Sequence, residues 1–229
     1  MTTMVATTTP TARVNVTRYA AVAAKVLLFG LLLSALIWPD LSGIKGKAST
    51  ARLVVYPIGA MVLPLWWWAY GRAKSKLHDS FPWNADLLLT LPWLIDLIGN
   101  RLDLFDTVSW WDDAMHFILW GFLTAGVLLA FAPRNLSRGL TAFVALGFGA
   151  TAAVVWEIGE YFAFVRNSPE LQTAYTDTLG DLALGTLGAL LAGLILYQIR
   201  AKVGRGRSAD RGGRGVSAGD GAADSVGGG

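Results

Sequence analysis

Residues 139–165 read GLTAFVALGFGATAAVVWEIGEYFAFV, an apolar stretch in which Glu157 and Glu160 are the only charged residues. An α-helix needs about 20 mostly apolar residues to cross the hydrocarbon core of a bilayer. This stretch exceeds that length, so it predicts a transmembrane helix. It also places two carboxyl groups, one helical turn apart, inside the membrane-spanning part of the chain.

The composition of the whole chain agrees with this prediction. Of its 229 residues, 54% are hydrophobic and 15% are charged, and the mean hydropathy is +0.47. Soluble domains carry about 25% charged residues, and disorder of a whole chain requires low hydrophobicity. Both classes are therefore excluded in favour of an integral membrane protein. The chain has no cysteine, which excludes disulfides, thiolate metal sites and cysteine nucleophiles.

Six segments are long and apolar enough to be transmembrane helices. They are Ala20–Trp38, Leu53–Tyr70, Trp83–Gly99, Ala114–Ala132, Gly139–Val165 and Thr178–Ile199. The third segment is short and contains two aspartates and a proline. We therefore predict an all-α, polytopic membrane protein with about six transmembrane helices. Its parts are a flexible leader (1–18), a transmembrane domain (19–199) and a disordered, Gly/Arg-rich tail (200–229).

Lysine and arginine are distributed unequally between the two sides of this topology. Thirteen lie in the N-terminal segment, the second and fourth loops and the tail, whereas five lie in the other loops. Cytoplasmic segments carry the excess of positive charge, so both termini are predicted to be cytoplasmic. The Arg-Gly pattern of the tail is compatible with RNA binding. Attraction of a basic tail to anionic membrane lipids explains it more simply, and we expect no nucleic-acid partner.

The alternation of spans also sorts the acidic residues. Ten of the sixteen fall in the outer loops or the outer halves of the spans: Asp96, Asp103, Asp106, Asp112, Asp113, Glu157, Glu160, Glu170, Asp177 and Asp181. Three helices each present a polar set at i, i+3 or i, i+4 spacing: Asp112 and Asp113 with His116, Glu157 with Glu160, and Asp177 with Asp181. From the helical rise of about 1.5 Å per residue, we expect His116, Glu160 and Asp181 to share one layer. Glu157 is expected one turn deeper.

Acidic residues in a membrane need an explanation, because a charge at the bilayer centre costs about 2.5–3.5 kcal/mol. The carboxyls are protonated, or a metal cation neutralises them, or the site opens to water. A simpler interpretation makes Asp112 and Asp177 helix N-caps, Asp181 a first-turn acid and His116 a packing residue. That interpretation does not extend to Glu157 and Glu160, which lie in mid-helix.

Small residues recur on the same helices. Gly185, Ala189 and Gly193 are spaced by four in the sixth span, as are Ala145 and Gly149 in the fifth. This small-x-x-x-small pattern favours close helix–helix packing in membranes. We expect it to bring the acidic helices together, with the glycines as packing residues.

Three motifs resemble a known family. They are Trp111-Asp112-Asp113-Ala114-Met115-His116-Phe117, Trp156-Glu157-Ile158-Gly159-Glu160-Tyr161 and Asp177-Thr178-Leu179-Gly180-Asp181. Over about residues 85–198 the chain resembles the YjdF-type bacterial inner-membrane proteins and, more distantly, the VanZ-type proteins linked to teicoplanin resistance. Glu160 replaces the VanZ-type glutamine, which argues against a resistance role. The resemblance implies a bacterial inner-membrane location and names no reaction.

Three functions stay open. The first is a membrane-embedded enzyme acting on a lipid or cell-envelope intermediate, in which Glu157, Glu160 and His116 are catalytic. A divalent metal would be bound within the set Asp112, Asp113, His116, Glu157, Glu160, Asp177 and Asp181. A single histidine favours Mg or Mn over Zn. The second is an ion- or proton-coupled transporter that uses the same carboxylates. The third is a non-catalytic structural or partner-binding protein; membrane lipids are the expected surroundings in each case.

Overall fold

The computed structural model of the chain describes residues 16–41, 49–71 and 81–216. Within these residues the chain forms helices and no strands. The helices are α1 (Val16–Ile37), α2 (Ser49–Trp66), α3 (Trp83–Arg101), α4 (Leu104–Thr107), α5 (Trp111–Phe131), α6 (Arg138–Ala163) and α7 (Ala174–Val216). A π-turn, Trp67–Gly71, extends α2, and two 3-10 turns, Val165–Asn167 and Pro169–Gln172, connect α6 to α7. The prediction of an all-α fold is confirmed.

Five helical segments of the described chain are long and apolar enough to cross a membrane. They are Val16–Ile37, Thr50–Tyr70, Trp111–Phe131, Arg138–Asn167 and Ala174–Gly204. The remaining long helix, α3, is less apolar because its 19 residues include two aspartates and two asparagines. Because α3 packs against α1, α2 and α5, it lies inside the bundle, where Asp86, Asp96 and Asn100 make side-chain hydrogen bonds.

The helices form two groups that meet at α3 and α5. In the first group, α1, α2 and α3 share an apolar core that includes Leu28, Tyr56 and Leu97. In the second group, α7 packs extensively on both α5 and α6, with Leu128 and Leu196 buried between them. Short connections leave residues 102–110 and 164–173 at one end of the bundle, which we call the acidic end.

The small residues of α6 and α7 meet as the sequence pattern predicts. A Cβ atom on Gly193 would lie 2.6 Å from that of Ala145, and one on Gly149 would overlap Ala189. These contacts leave no room for larger side chains between the two helices. The close approach fixes the acidic half of α6 beside the acidic half of α7.

A buried ion pair connects α1 and α3. The Lys25 ammonium group donates hydrogen bonds to Asp86 Oδ2 at 2.7 Å and to Thr90 Oγ1 at 2.6 Å. Asp86 is 1% exposed and lies in the first turn of α3. The acidic end of the bundle lies at the other end of this helix, next to Arg101. This aspartate of α3 is therefore paired with a cation from α1.

Helix α7 continues well past the boundary that the sequence suggested at residue 200. Its backbone is helical to Val216, and Arg200 donates a hydrogen bond to the Leu128 carbonyl oxygen at 2.9 Å, near the end of α5. Most of the predicted leader (1–18) and residues 217–229 of the predicted tail lie outside the described residues. The domain boundaries stay predictions.

Candidate functional site

The acidic end contains a cavity of about 370 Å³ between the two helix groups. Eight carboxylates line it: Asp96, Asp106, Asp112, Glu157, Glu160, Glu170, Asp177 and Asp181. Arg52 and His116 are the basic residues among its described lining. Tyr56, Trp93 and Trp156 contribute aromatic surface. The cavity therefore combines a large excess of negative charge with an apolar and aromatic wall, which favours a bound cation.

His116 of α5 is the centre of the acidic cluster. Its Nε2 atom lies 3.5 Å from Asp112 Oδ1 on the same helix and 3.6 Å from Asp181 Oδ1 on α7. These three side chains each offer one ligand atom, and the three atoms lie within 4.8 Å of one another. Two carboxylates and one imidazole make a donor set that suits a hard divalent cation such as Mg²⁺ or Mn²⁺.

The other ring nitrogen of His116 faces α6. Its Nδ1 atom is buried and has no hydrogen-bond partner within the described chain, and Glu157 Oε1 lies 4.0 Å away. The second oxygen of Glu157 accepts a hydrogen bond from the Thr178 hydroxyl of α7 at 3.1 Å. Thr178 thereby holds the Glu157 carboxylate with its free oxygen towards the histidine. At 4.0 Å this oxygen is beyond hydrogen-bond distance of Nδ1, but it lies on the side of the ring where a carboxylate can orient a histidine.

Glu160 lies one turn beyond Glu157 and also lines the cavity. Within the described chain it makes no ion pair with His116, whereas Glu157 does. The sequence predicted that His116, Glu160 and Asp181 lie in one layer, with Glu157 beneath them. In the structure Glu157, rather than Glu160, lies next to His116, because Glu157 is on the side of α6 that faces α5.

Three further acids form the mouth of the cavity. Asp177 occupies the first turn of α7, and Asp106 and Glu170 come from the connecting segments. Burial, followed by repulsion from Asp177, Asp106 and Asp112, raises the pKa of Glu170 above its ordinary value. Several carboxylates therefore lie close together at the mouth.

One predicted ligand lies elsewhere, and the N-cap interpretation is wrong. Asp113 is exposed and does not line the cavity, since it follows Asp112 by one residue and so points from a different side of α5.

Helix α5 begins at Trp111 and α7 at Ala174. Asp112 and Asp177 consequently lie within the first turns rather than at the N-cap positions.

The opposite wall of the cavity contains residues that the sequence analysis did not assign to a site. Arg52 Nε lies 3.0 Å from the Tyr56 hydroxyl and 3.3 Å from Asp96 Oδ2. The same carboxylate oxygen accepts hydrogen bonds from the Tyr56 hydroxyl and, at 3.3 Å, from Asn100. A signal was present, because Arg52 with Tyr56 and Asp96 with Asn100 are i, i+4 pairs in otherwise apolar segments. The sequence does not show that the two pairs face each other.

Comparison with known proteins places this site in a family. Residues 24–202 match the family model described as "Predicted membrane protein (DUF2238)". The chain belongs to this family. The match runs from α1 into α7 and so includes every helix that lines the cavity. Together with the five apolar helices, it identifies a multi-pass membrane protein. No curated protein and no solved structure matches the chain.

Proposed function

We propose that the chain is a membrane-embedded enzyme that uses a divalent metal to act on a lipid or cell-envelope intermediate. The observation that carries the proposal is the convergence of Asp112, His116 and Asp181 from two helices, with ligand atoms within 4.8 Å. Membrane acids that point to one place in a bundle interior mark functional sites in general. The cavity provides the space that a substrate needs.

The side chains divide into holding and positioning roles. Asp112, Asp181 and the Nε2 atom of His116 would hold the metal. Glu157 would accept a hydrogen bond from the Nδ1–H group of His116, which fixes the tautomer that leaves Nε2 free to bind. A divalent cation bound there supplies Lewis acidity. Mg²⁺ or Mn²⁺ is favoured over Zn²⁺, because oxygen donors outnumber nitrogen.

Glu160 is the proposed general acid or base. It lines the cavity without an ion-pair partner in the described chain, so its carboxyl group is available to move a proton. Met115, Leu119 and Leu123 of α5 line the same cavity. Their apolar side chains suit the hydrocarbon part of an amphiphilic substrate.

Metal binding by the purified full chain tests the proposal. We expect wild-type protein to bind Mn²⁺ at about one ion per chain, as measured by electron paramagnetic resonance titration. His116→Ala should abolish binding, whereas Asp113→Asn should leave it unchanged, because Asp113 lies outside the cavity. A wild-type chain that binds neither Mn²⁺ nor Mg²⁺ would contradict the proposal.

An ion-coupled transporter is the second candidate, and the Lys25–Asp86 pair is the observation that favours it. This pair lies in the half of the bundle opposite the acidic cavity, so ionisable groups occur in both halves. Proton flux into liposomes that contain the wild-type chain, lost in Asp86→Asn, would support transport. The enzyme proposal expects no flux in either sample.

We further propose that the protein resides in the bacterial inner membrane with both termini cytoplasmic, so that the cavity faces outwards. The distribution of Lys and Arg and the resemblance to YjdF-type proteins support this orientation. A periplasm-dependent reporter fused after Gly229 should be inactive. Activity of that reporter would reverse the orientation and direct the cavity to the cytoplasm.

A further inference from the structure

Arg52 is the basic residue of the cavity that the proposed metal chemistry does not use. It is the fourth residue of α2, and its side chain is 11% exposed. An arginine that is largely buried in a membrane protein is costly unless it is paired or functional. Its surroundings show which of its donors are occupied.

Asp96 binds the guanidinium group of Arg52 through its Nε atom. Arg52 Nε donates to Asp96 Oδ2 at 3.3 Å, and the same oxygen accepts from Tyr56 and Asn100. Three donors on one oxygen make Asp96 a fixed anchor. The anchor holds the Arg52 side chain in one orientation without involving the end of the guanidinium group.

The terminal nitrogens of Arg52 remain open. Neither Nη atom makes a hydrogen bond with a residue of the described chain, and neither is among the buried polar atoms that lack partners. They are therefore accessible, and Arg52 lines the cavity. A guanidinium that is fixed through Nε still offers its two Nη groups as a fork, which matches the oxygens of phosphate or carboxylate.

We propose that Arg52 binds the anionic group of the substrate and that this substrate is a phosphate-bearing amphiphile. This inference rests on the proposed function, because an anion enters a cavity with eight carboxylates only when bound cations offset their charge. Phosphate is favoured over carboxylate, since its additional oxygens contact a metal and a guanidinium together. The Met115, Leu119 and Leu123 wall accommodates the apolar part.

Binding to the full chain in detergent with Mn²⁺ tests the inference. Four probes separate the contributions: phosphatidic acid, diacylglycerol, oleate and inorganic phosphate. Isothermal titration should show that wild-type protein prefers phosphatidic acid to the other three by about tenfold or more, which corresponds to one or two charge-assisted hydrogen bonds. Arg52→Ala should remove this preference. Arg52→Lys should recover only part of it, because an ammonium group lacks the fork.

Arg166→Ala is the matched control. Arg166 also lies at the acidic end, but it stacks over Phe162 and does not line the cavity, so this variant should bind phosphatidic acid like the wild type. Mn²⁺ binding, measured on each sample, reports whether the site is folded. An Arg52→Ala variant that binds Mn²⁺ and retains the preference would overturn the inference alone.

The other outcomes are also decisive. Absence of Mn²⁺ binding in the wild type would overturn the proposed function before the lipid comparison is made. If inorganic phosphate binds as tightly as phosphatidic acid, the apolar part contributes nothing, and the inference that the substrate is an amphiphile is overturned. Oleate that binds more tightly than phosphatidic acid would overturn phosphate as the recognised group.

Discussion

His116 shows how one residue can organise a site through two differently used nitrogens. Nε2 faces Asp112 and Asp181, whereas Nδ1 faces Glu157 across the α5–α6 interface. The i, i+4 spacing predicted the Asp112–His116 pair. It did not reveal that Asp181 approaches the same nitrogen, because that contact depends on the position of α7.

The positioning role that we propose for Glu157 predicts a graded effect on metal binding. Glu157→Gln should weaken Mn²⁺ binding about 10- to 100-fold without abolishing it, because outer-shell partners of metal-binding histidines contribute that much. Titration followed by electron paramagnetic resonance measures the affinity. Asp113→Asn, which removes an exposed carboxylate from α5, is the control. Unchanged affinity in Glu157→Gln would contradict the role.

At the scale of elements, close helix approach decides which side chains meet. Helix α5 contacts α7 so closely that a Cβ atom on Gly188 would overlap the carbonyl oxygen of Phe117. Phe117 follows His116, so this crossing lies immediately beside the candidate site. The sequence predicted small-residue packing for α7, but not the partner of this glycine.

A methyl group at the crossing should therefore separate α5 from α7. We expect Gly188→Ala to lower the free energy of unfolding by about 1–3 kcal/mol, the usual cost of overpacking. The thermal unfolding midpoint in detergent, followed by tryptophan fluorescence, measures the change. Gly180→Ala on the same helix meets no atom within 4 Å and should not lower the midpoint, since alanine is the better helix former. Equal effects of the two substitutions would contradict the packing argument.

The ion pair between α1 and α3 predicts that a single variant is less stable than the matching double variant. Lys25→Met should destabilise the protein by about 3–5 kcal/mol, since it leaves the buried Asp86 carboxylate without a partner. The double variant Lys25→Met/Asp86→Leu should recover most of this loss, because no buried charge remains. Thermal unfolding of the three proteins provides the comparison. A double variant as unstable as the single one would show that the pair contributes through something other than charge compensation.

At the scale of the whole molecule, negative charge is concentrated at one end of the bundle. The cavity lies between the α1–α3 group and the α5–α7 group, and both groups contribute acids to it. Repulsion between these carboxylates opposes folding whenever they are ionised and no cation is bound. The stability of the metal-free protein should therefore depend on pH.

Glu170 offers a measurable part of this dependence. Its pKa is raised in the folded state, by burial and by repulsion from Asp177, Asp106 and Asp112. Folding therefore favours its protonated form, and stability falls as the pH rises from the ordinary glutamate pKa through the raised value. In the presence of a chelator, Glu170→Gln should raise the unfolding midpoint at pH 7 and leave it nearly unchanged at pH 4. A larger change of the midpoint at pH 4 than at pH 7 would contradict a raised pKa of Glu170 in the folded state.

The sequence by itself determined the membrane class, the helical fold and the residues that share a face within each helix. Length and apolarity are properties of a segment, and the 3.6-residue period is local. The tertiary structure decided that Glu157 rather than Glu160 meets His116, that Asp113 lies outside the cavity, and that Lys25 pairs with Asp86. It also brought Arg52 of α2 to Asp96 of α3, across the cavity from His116. These contacts depend on the rotation of each helix about its axis and on its neighbours, which packing between distant parts of the chain sets.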